Sequence, residues 1–314
     1  MYRFIARRLG SGVVLIAALA TLTFFLLYLG AGDRIARQLL GEDADDAAVR
    51  AKEHELGLDR PIWTQFGHWA SGAVHGDLGT SWFNGQDVRT AILSRLSVTV
   101  TLVIGSTLLT VVLATVLGVV AATRGGWVDR VVQFLGVLGH AVPNFLISLG
   151  LVTLFAISLH WFRPTGYVRF ADSPQLWLSS ITLPVLALTI NGVSGVVQQV
   201  RGSVLDELGR DYVRTLRSRG LPESRVVYRH VLRNAAGPAL SFLGVQVVGL
   251  LGGAVIIEQV FAIPGLGQVA VTATGQGDIP LVMGLVVVSA VLVVLVNLLV
   301  DLVQGWLNPK VRLG

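Results

Sequence analysis

The side chains best suited to bind a charged partner lie in one basic segment, residues 211–238, which has the sequence DYVRTLRSRGLPESRVVYRHVLRNAAGP. Its arginines are Arg214, Arg217, Arg219, Arg225, Arg229 and Arg233. Gly220 should end a first helix, predicted over residues 203–219, because glycine adopts the left-handed conformation at little cost. Pro222 suits the first turn of a second helix. Such a basic, amphipathic pair could be an ordinary cytoplasmic loop, lie on anionic lipid headgroups, or dock into a groove of a cytoplasmic partner.

Polar side chains inside the apolar stretches form a second group of candidates. Polar groups in a membrane are costly and often functional, so we select five as candidates for a pathway or gate: Glu258, His140, Asn144, Asn191 and Gln246. For most of them the alternative is hydrogen bonding between packed helices, and for Glu258 it is a local pair at the membrane surface. Pro143 predicts a kinked helix with a freed carbonyl. His140 has no histidine at i+4 and the chain has no cysteine, so no metal site or cofactor is predicted.

The elements that carry these residues are apolar runs long enough to cross a bilayer. The chain is 53% hydrophobic, which exceeds what a soluble domain buries. Six runs approach the ~20 residues that a spanning helix needs: Val13–Leu29, Val98–Ala122, Val131–Leu159, Trp177–Val200, Ala239–Phe261 and Leu281–Val300. Because a helix satisfies its own backbone hydrogen bonds, the predicted fold is an all-α membrane protein with six transmembrane helices. The first run is longer than the apolar core of a signal peptide, so we expect it to be retained as a span.

The distribution of arginine and lysine predicts the orientation. It places both termini in the cytoplasm, and we expect three parts: the N-terminus and first span (1–29), an extracytoplasmic loop domain (30–97), and a five-helix transmembrane core (98–314) with a cytoplasmic loop at 201–237. In the loop domain, helices are predicted over 47–58 and from Pro61, and Trp63, Phe66 and Trp69 share one helical face at the headgroup level or against substrate. The excess of arginine in cytoplasmic loops also explains the basic composition of the chain. We therefore expect a lipid bilayer as a partner, and no nucleic acid.

Four stretches together carry a resemblance to a known family. Residues 211–221 and 230–238 have the pattern D-Y-V-R-T-x-R-x-x-G-L followed by H-x-L-R-N-A-x-x-P. The N-terminal YRFIARRLG precedes a span, LGLDRP is followed by GDLGTSW at 76–82, and EQVFAIPGLG occupies 258–267. The chain resembles the first of the two homologous membrane subunits of dipeptide, oligopeptide and nickel ABC importers. Leu216, Ser218 and Arg219 depart mildly from the family pattern.

The resemblance implies a type I ABC importer permease fold in the inner cell membrane. Its partners would be a second homologous permease subunit, two cytoplasmic ATPase subunits and an extracytoplasmic solute-binding protein. The residues implied to couple the ATPase to the spans are Asp211, Tyr212, Arg214, Thr215, Arg217, Arg219, Gly220, Leu221 and Glu223. The implied cargo is a dipeptide or oligopeptide, with nickel or another small solute as the alternative.

The residues also bear on the source of energy and on other function classes. A P-loop requires G-x-x-x-x-G-K-[ST], and the only lysines, Lys52 and Lys310, follow alanine and proline. Energy must then come from a partner or a gradient. A self-sufficient channel or proton-coupled carrier would need a series of ionisable residues through the spans, where only His140 is central. A membrane enzyme would need paired carboxylates or a His–Asp set near one leaflet, and the sequence offers neither.

Overall fold

A computed structural model describes residues 2–29, 32–41 and 43–307, and these residues are predominantly helical. The helices are α1 (Tyr2–Leu29), α2 (Gly32–Leu40), α3 (Asp46–Leu56), α4 (Ile62–Val74), α5 (Val88–Arg124), α6 (Gly126–Ala141), α7 (Asn144–Leu151), α8 (Pro174–Leu208), α9 (Asp211–Ser218), α10 (Glu223–Arg225), α11 (Leu232–Val260), α12 (Leu266–Gln276) and α13 (Ile279–Leu307). Two π-helical segments, Val152–Ser158 and Val226–Val231, extend α7 and join α10 to α11. Lys310, one of the two lysines considered in the P-loop argument, lies outside the described residues.

The predicted all-α membrane fold is confirmed. Among the described residues, five helices are long and apolar enough to cross a membrane, and a bent pair gives a sixth span if it is counted as one. The five helical ranges are Ile5–Tyr28, Val88–Arg124, Pro174–Leu208, Glu223–Val260 and Ile279–Trp306. Each contains all or nearly all of one run identified from the sequence. Helices α3 and α4 correspond to the two short helices predicted between the first and second spans.

The third predicted span, Val131–Leu159, is wrong as a single kinked helix. Helix α6 ends at Ala141, α7 begins at Asn144, and the two are bent by 102°. Val142 is extended, with φ −85° and ψ 124°, because a residue that precedes proline is driven out of the helical region. Pro143 therefore separates two helices instead of kinking one.

One further prediction of local structure is wrong, and one helix was not predicted. Residues 203–219 do not form one helix, since α8 ends at Leu208 and α9 begins at Asp211 after an extended Arg210. The Gly- and Pro-rich residues 262–280, which lie between the fifth and sixth predicted spans, contain the 11-residue helix α12. Leu266 and Ala273, seven residues apart on α12, are both buried in an apolar cluster. Burial of this face stabilises a helix that its glycines disfavour.

One compact unit contains Thr99–Pro264 and the chain from Leu295 onward. Its core consists mainly of buried valine and alanine side chains of α5, α8 and α11, which Val213 of α9 joins. Small side chains let the helices approach closely, and Gly118 of α5 lies directly against Val200 of α8. The short helix α9 is therefore packed into the same core as the long helices.

The other compact unit contains Tyr2–Val98 and Gly265–Val294. Phe24 of α1 is buried against Phe66 and Trp69 of α4, with ring centroids 5.2 Å and 6.3 Å away. Trp63 packs on Phe25 at 4.6 Å but stays largely exposed. Two of the three aromatic side chains predicted to share a face thus belong to the core of this unit, and Trp63 alone is left largely on the surface.

The α5–α8 contact predicts a strong effect of one methyl group. In Gly118→Ala the new Cβ would lie 2.9 Å from Val200 Cβ and 3.2 Å from the Arg201 backbone nitrogen. A backbone atom cannot rotate away, so we expect a loss of about 1–3 kcal/mol in unfolding free energy. The measurement is the thermal midpoint of the detergent-solubilised protein. Gly202→Ala, which has open space on α8, is the control and should leave stability unchanged or slightly raise it; equal midpoints for the two variants would contradict the contact.

Candidate functional site

Gly220 forms the turn that follows α9. Its φ is +79°, and its N–H donates to the Arg217 carbonyl at 2.9 Å, while the Leu221 N–H donates to the Leu216 carbonyl at 3.3 Å. A Cβ at Gly220 would meet no atom within 4 Å. Glycine is therefore favoured by the left-handed backbone and not by lack of space, in agreement with the helix break predicted here.

A salt bridge between Arg217 and Glu223 spans the turn at Gly220. Arg217 Nη2 lies 2.5 Å from Glu223 Oε1, and Arg217 Nε lies 3.0 Å from Glu223 Oε2. The hydrogen bond to Glu223 raises the pKa of Arg217 above its ordinary value. Both side chains are about half exposed, so water screens the pair and it contributes little to global stability. Its bidentate geometry nevertheless restricts the orientation of α9 relative to the chain that follows the turn.

Helix α9 is anchored through Tyr212 and Val213. The Tyr212 hydroxyl donates to Glu207 Oε2 at 2.8 Å and accepts from Asn234 Nδ2 at 3.2 Å, which ties α9 to α8 and α11. Glu207 is buried and also pairs with Arg210 Nε at 2.9 Å. Burial, followed by the hydrogen bond to Glu207, raises the pKa of Tyr212 above its ordinary value, so the hydroxyl keeps its proton at neutral pH. Val213 is fully buried in the core of the unit.

The predicted coupling residues fall into two groups in this structure. Tyr212 and Leu221 are half-buried and face the core of the unit. The other seven are exposed: Asp211, Arg214, Thr215, Arg217, Arg219, Gly220 and Glu223. The segment therefore offers a charged outer face on a helix whose inner face is fixed, which is the arrangement that a docking element requires.

An ion pair between α6 and α8, with both side chains mostly buried, was not anticipated from the sequence. Arg201 Nε lies 2.5 Å from Asp129 Oδ1, and Arg201 Nη2 lies 2.6 Å from Asp129 Oδ2. Gln133 Nε2 also donates to Asp129 at 3.0 Å. In the sequence, Arg201 is only one of several positive charges in the predicted cytoplasmic loop 201–237. Asp129, the acidic residue of TRGGWVDR, was the one available signal.

The freed carbonyl that Pro143 predicts is that of Gly139. In a continuous helix this oxygen would accept from the N–H of residue 143, which proline lacks. Asn191 Nδ2 of α8 lies 3.5 Å from the Gly139 oxygen and supplies a long, weak substitute. Asn191 thus has a helix-packing role at the break, the alternative considered for most of these polar residues, and its role in a pathway stays a prediction.

The other pathway candidates lie in different surroundings. His140 is exposed. Asn144 packs its amide against Gly253 of α11, and its buried Oδ1 has no hydrogen-bond partner among the described residues. A Cβ at Gly192 would lie 3.3 Å from Gln246 Nε2 and 3.5 Å from the Thr110 hydroxyl. Among the described residues, these polar groups lie at the α6–α7 break and at the α8–α11 contact, and the hydrogen bonds found there do not link the two places.

Glu258 is in the interior of its unit and not at a surface. It is 0% exposed, and the Thr99 hydroxyl donates to its Oε1 at 2.6 Å. The two residues are 159 positions apart in the chain, so no local pattern links them. Its role in a pathway stays a prediction.

Asp278 is a further buried carboxylate, and the sequence argument did not select it. It accepts hydrogen bonds from the Ser81 hydroxyl, from the Trp82 N–H at 3.4 Å and from the Leu281 N–H at 3.4 Å. Ser81 and Trp82 belong to GDLGTSW, and Leu281 lies in the first turn of α13. Asp278 thus anchors that motif and the start of α13 to each other.

Comparison with known proteins gives two adjoining family matches. Residues 114–313 match the family described as the binding-protein-dependent transport system inner membrane component, and residues 1–103 match the N-terminal part of such a component. A protein named as a putative peptide transport system permease of Brucella abortus is 38% identical, with 99% of each chain covered. The probable D,D-dipeptide transport system permease DdpB of Escherichia coli K12 is 35% identical over 96% of this chain and 95% of its own.

Two further comparisons agree with these matches. The glutathione transport system permease GsiC of Salmonella choleraesuis is 34% identical, with 99% of each chain covered. Among solved structures, the MetNI methionine ABC transporter in an inward-facing conformation matches with a TM-score of 0.54 and 16% identity. That match covers 67% of this chain and 93% of the other, and at this identity it supports the fold alone.

The anchoring of α9 can be tested with one hydroxyl group. Tyr212→Phe removes the donor to Glu207 and leaves that buried carboxylate short of a partner, a change of about 1–3 kcal/mol. We expect faster amide hydrogen exchange across residues 211–218, measured by mass spectrometry on the purified protein. Arg214→Gln is the control, because its side chain is largely exposed and lies 3.6 Å from Asp211. Unchanged exchange in Tyr212→Phe would show that the hydroxyl does not anchor α9.

Proposed function

We propose a function from the premise that this chain belongs to the family of binding-protein-dependent transport system inner membrane components. The chain is a multi-pass, non-catalytic permease subunit of an ABC importer. ATP hydrolysis takes place in partner subunits, and a binding protein supplies the solute. A self-sufficient channel or carrier and a membrane enzyme are therefore set aside.

The cargo we propose is a dipeptide or a short oligopeptide. Support comes from relatives that are named as peptide, D,D-dipeptide and glutathione permeases and that align over nearly the whole chain. All three kinds of named cargo contain amide-linked amino acids. Nickel or another small solute, the alternative kept from the sequence, becomes an outcome of the uptake experiment below.

The observation that carries the coupling proposal is the two-sided character of α9. Its outer face is exposed and charged, whereas Tyr212 and Val213 connect its inner face to α8 and to the core of the unit. We assign the outer face to a cleft of a cytoplasmic ATPase subunit. When ATP closes the ATPase pair, the displacement of α9 is passed to α8 and α11 through the Tyr212 hydrogen bonds and the packing of Val213.

The remaining partners follow from exposed surfaces and from orientation. Helices α6 and α7 expose large apolar side chains, among them Phe134, Phe145 and Leu149. We propose that a second homologous permease subunit covers part of this surface and that lipid covers the rest. The chain would lie in the inner cell membrane with both termini cytoplasmic, and the residue 30–97 region would receive the solute-binding protein.

Uptake of a labelled tripeptide tests the cargo. Cells that express this chain with its transport partners should accumulate the label in an ATP-dependent manner, and excess unlabelled nickel should not compete. Cells that lack the chain are the control. Accumulation of nickel without uptake of the tripeptide would overturn the proposed cargo and leave the fold and family unchanged.

Two substitutions at Gly220 test the coupling. Asn tolerates the left-handed conformation, whereas Val is strongly disfavoured there, and neither side chain meets a clash at its Cβ. In Gly220→Val the left-handed turn costs ~1–2 kcal/mol. We therefore expect Gly220→Val to lose at least about tenfold in uptake rate and Gly220→Asn to lose less. Immunoblotting must show equal amounts of both variants in the membrane. Equal uptake by the two variants would exclude a coupling role for this turn.

A further inference from the structure

Helix α6 is held in its unit less firmly than the long helices are. None of its 16 residues is fully buried. Gly125 and Gly126, at its start, both have φ +59°, and a Cβ at either would meet no atom within 4 Å. At its end Val142 is extended, and the chain turns by 102° into α7. Both ends of α6 are therefore breaks at which the whole helix can change direction without losing its internal hydrogen bonds.

Two attachments hold α6 against α8. Towards the end of α6, Gly139 lies directly on α8, because a Cβ there would be 2.8 Å from the Ser194 hydroxyl and 3.0 Å from the Ile190 carbonyl oxygen. Near the start of α6, Asp129 forms its bidentate ion pair with Arg201. The two attachments are separated by about 15 Å of helix. The glycine contact is suited to be a pivot, and the ion pair then sets the distance between α8 and the other end of α6.

The two helices are not closely packed between these attachments. An apolar cavity of about 410 Å³ lies among α5, α6, α7 and α8. Its wall includes Val132 and Gly136 of α6, Leu117 of α5, and Val193 and Val197 of α8. A close-packed core resists displacement of its side chains, whereas a cavity leaves α6 room to move. The ion pair, rather than apolar packing, therefore sets the position of this end of α6.

The ion pair joins α6 to the end of α8 that leads into α9. Arg201 and Glu207 lie on the same helix, about 9 Å apart along its axis, and Glu207 accepts the 2.8 Å hydrogen bond from Tyr212 of α9. The side chains of Arg201 and Asp129 are only 23% and 16% exposed, so water and salt screen their attraction less than that of a surface pair. The planar guanidinium group also fixes the angle of the carboxylate. A displacement of α8 is therefore passed to α6 with little slack.

We propose that the Asp129–Arg201 pair is a positioning joint, through which α6 follows the end of α8 when an ATPase subunit displaces α9. The inference rests on the coupling role proposed for α9 and extends it, because it names α6, up to the break at Pro143, as a segment that moves. Neither residue of the pair touches cargo or nucleotide in this scheme. Their effect is on the amount of transport that each hydrolysed ATP produces.

The ratio of peptide taken up to ATP hydrolysed tests this role. It is measured on the complete transporter in proteoliposomes, supplied with peptide-loaded solute-binding protein. Asp129→Asn removes the charge and keeps the size of the side chain, and we expect the ratio to fall at least about fivefold, the lower end of typical coupling between distant sites. Exchange of the two charges, in the double variant Asp129→Arg with Arg201→Asp, should restore much of the ratio. Arg130→Gln, which removes an exposed arginine next to Asp129, is the control and should match wild type.

A purely structural pair would give a different result in the same experiment. Loss of the pair would then lower uptake and ATP hydrolysis together and leave their ratio unchanged, and this outcome contradicts the proposal. The same holds if Asp129→Asn and Arg130→Gln have equal ratios.

A distance measurement keeps the test decisive if the proposed cargo is wrong. The chain has no cysteine, so spin labels at Trp127→Cys on α6 and Asp206→Cys on α8, both exposed positions, report the separation of the two helices by double electron–electron resonance. We expect the same distance with and without vanadate-trapped ATP when Asp129 is present, and a distance that depends on nucleotide once Asp129→Asn is added. Distances that ignore nucleotide in both proteins, or respond equally in both, would refute the joint.

Failure of the joint and failure of the proposed function are separable. The expected distances without any peptide uptake would reject only the cargo. Normal uptake by Gly220→Val together with the expected distances would reject only the role of the Gly220 turn. Normal coupling at Gly220 with distances that are equal in the two labelled proteins would reject only the joint.

Discussion

The structure depends on the need to hydrogen-bond backbone groups where little water is available. Helices meet this need internally, and each interruption must be compensated. Pro143 deprives the Gly139 carbonyl of its partner, and Asn191 of α8 approaches it from another helix. At the end of α8, a hydrogen bond from the Gly209 N–H to the Leu205 carbonyl caps the helix, and the buried Glu207 holds the residues that follow. Asn191 and Glu207 therefore lie beside places where the chain changes direction.

Glu207 shows how one such residue links the spanning helices to the exposed segment. A buried carboxylate is costly unless it is paired and hydrogen-bonded, and here Arg210 and Tyr212 both contact it. The same contacts fix the course of the chain from α8 into α9. The contacts that offset the desolvation cost of Glu207 thus also fix the position of α9, which is too short to be stable alone.

The sequence predicts what local chemistry determines. The apolar runs of spanning length predict the long helices, and Gly220 predicts the turn after α9. Both features depend on residues that are neighbours in the sequence. The sequence does not predict what distant residues determine. Asp129 pairs with Arg201, Thr99 with Glu258 and Ser81 with Asp278, and the last two pairs are separated by 159 and 197 positions. The 102° break at Pro143 belongs to the same class, since proline alone permits either a kink or a break.

The division of α9 into two faces separates the roles of its residues. Its eight residues cannot hold a helix in water without tertiary contacts, so Val213, Tyr212 and the Arg217–Glu223 bridge pre-form it before any partner binds. Pre-formation removes the ordering cost from the binding step. The exposed Arg214 and Arg219 are available to attract a partner at long range and to select it. Surface charge affects association rate and specificity more than affinity. The anchoring residues should therefore govern how faithfully motion is transmitted, and the exposed arginines which partner supplies it.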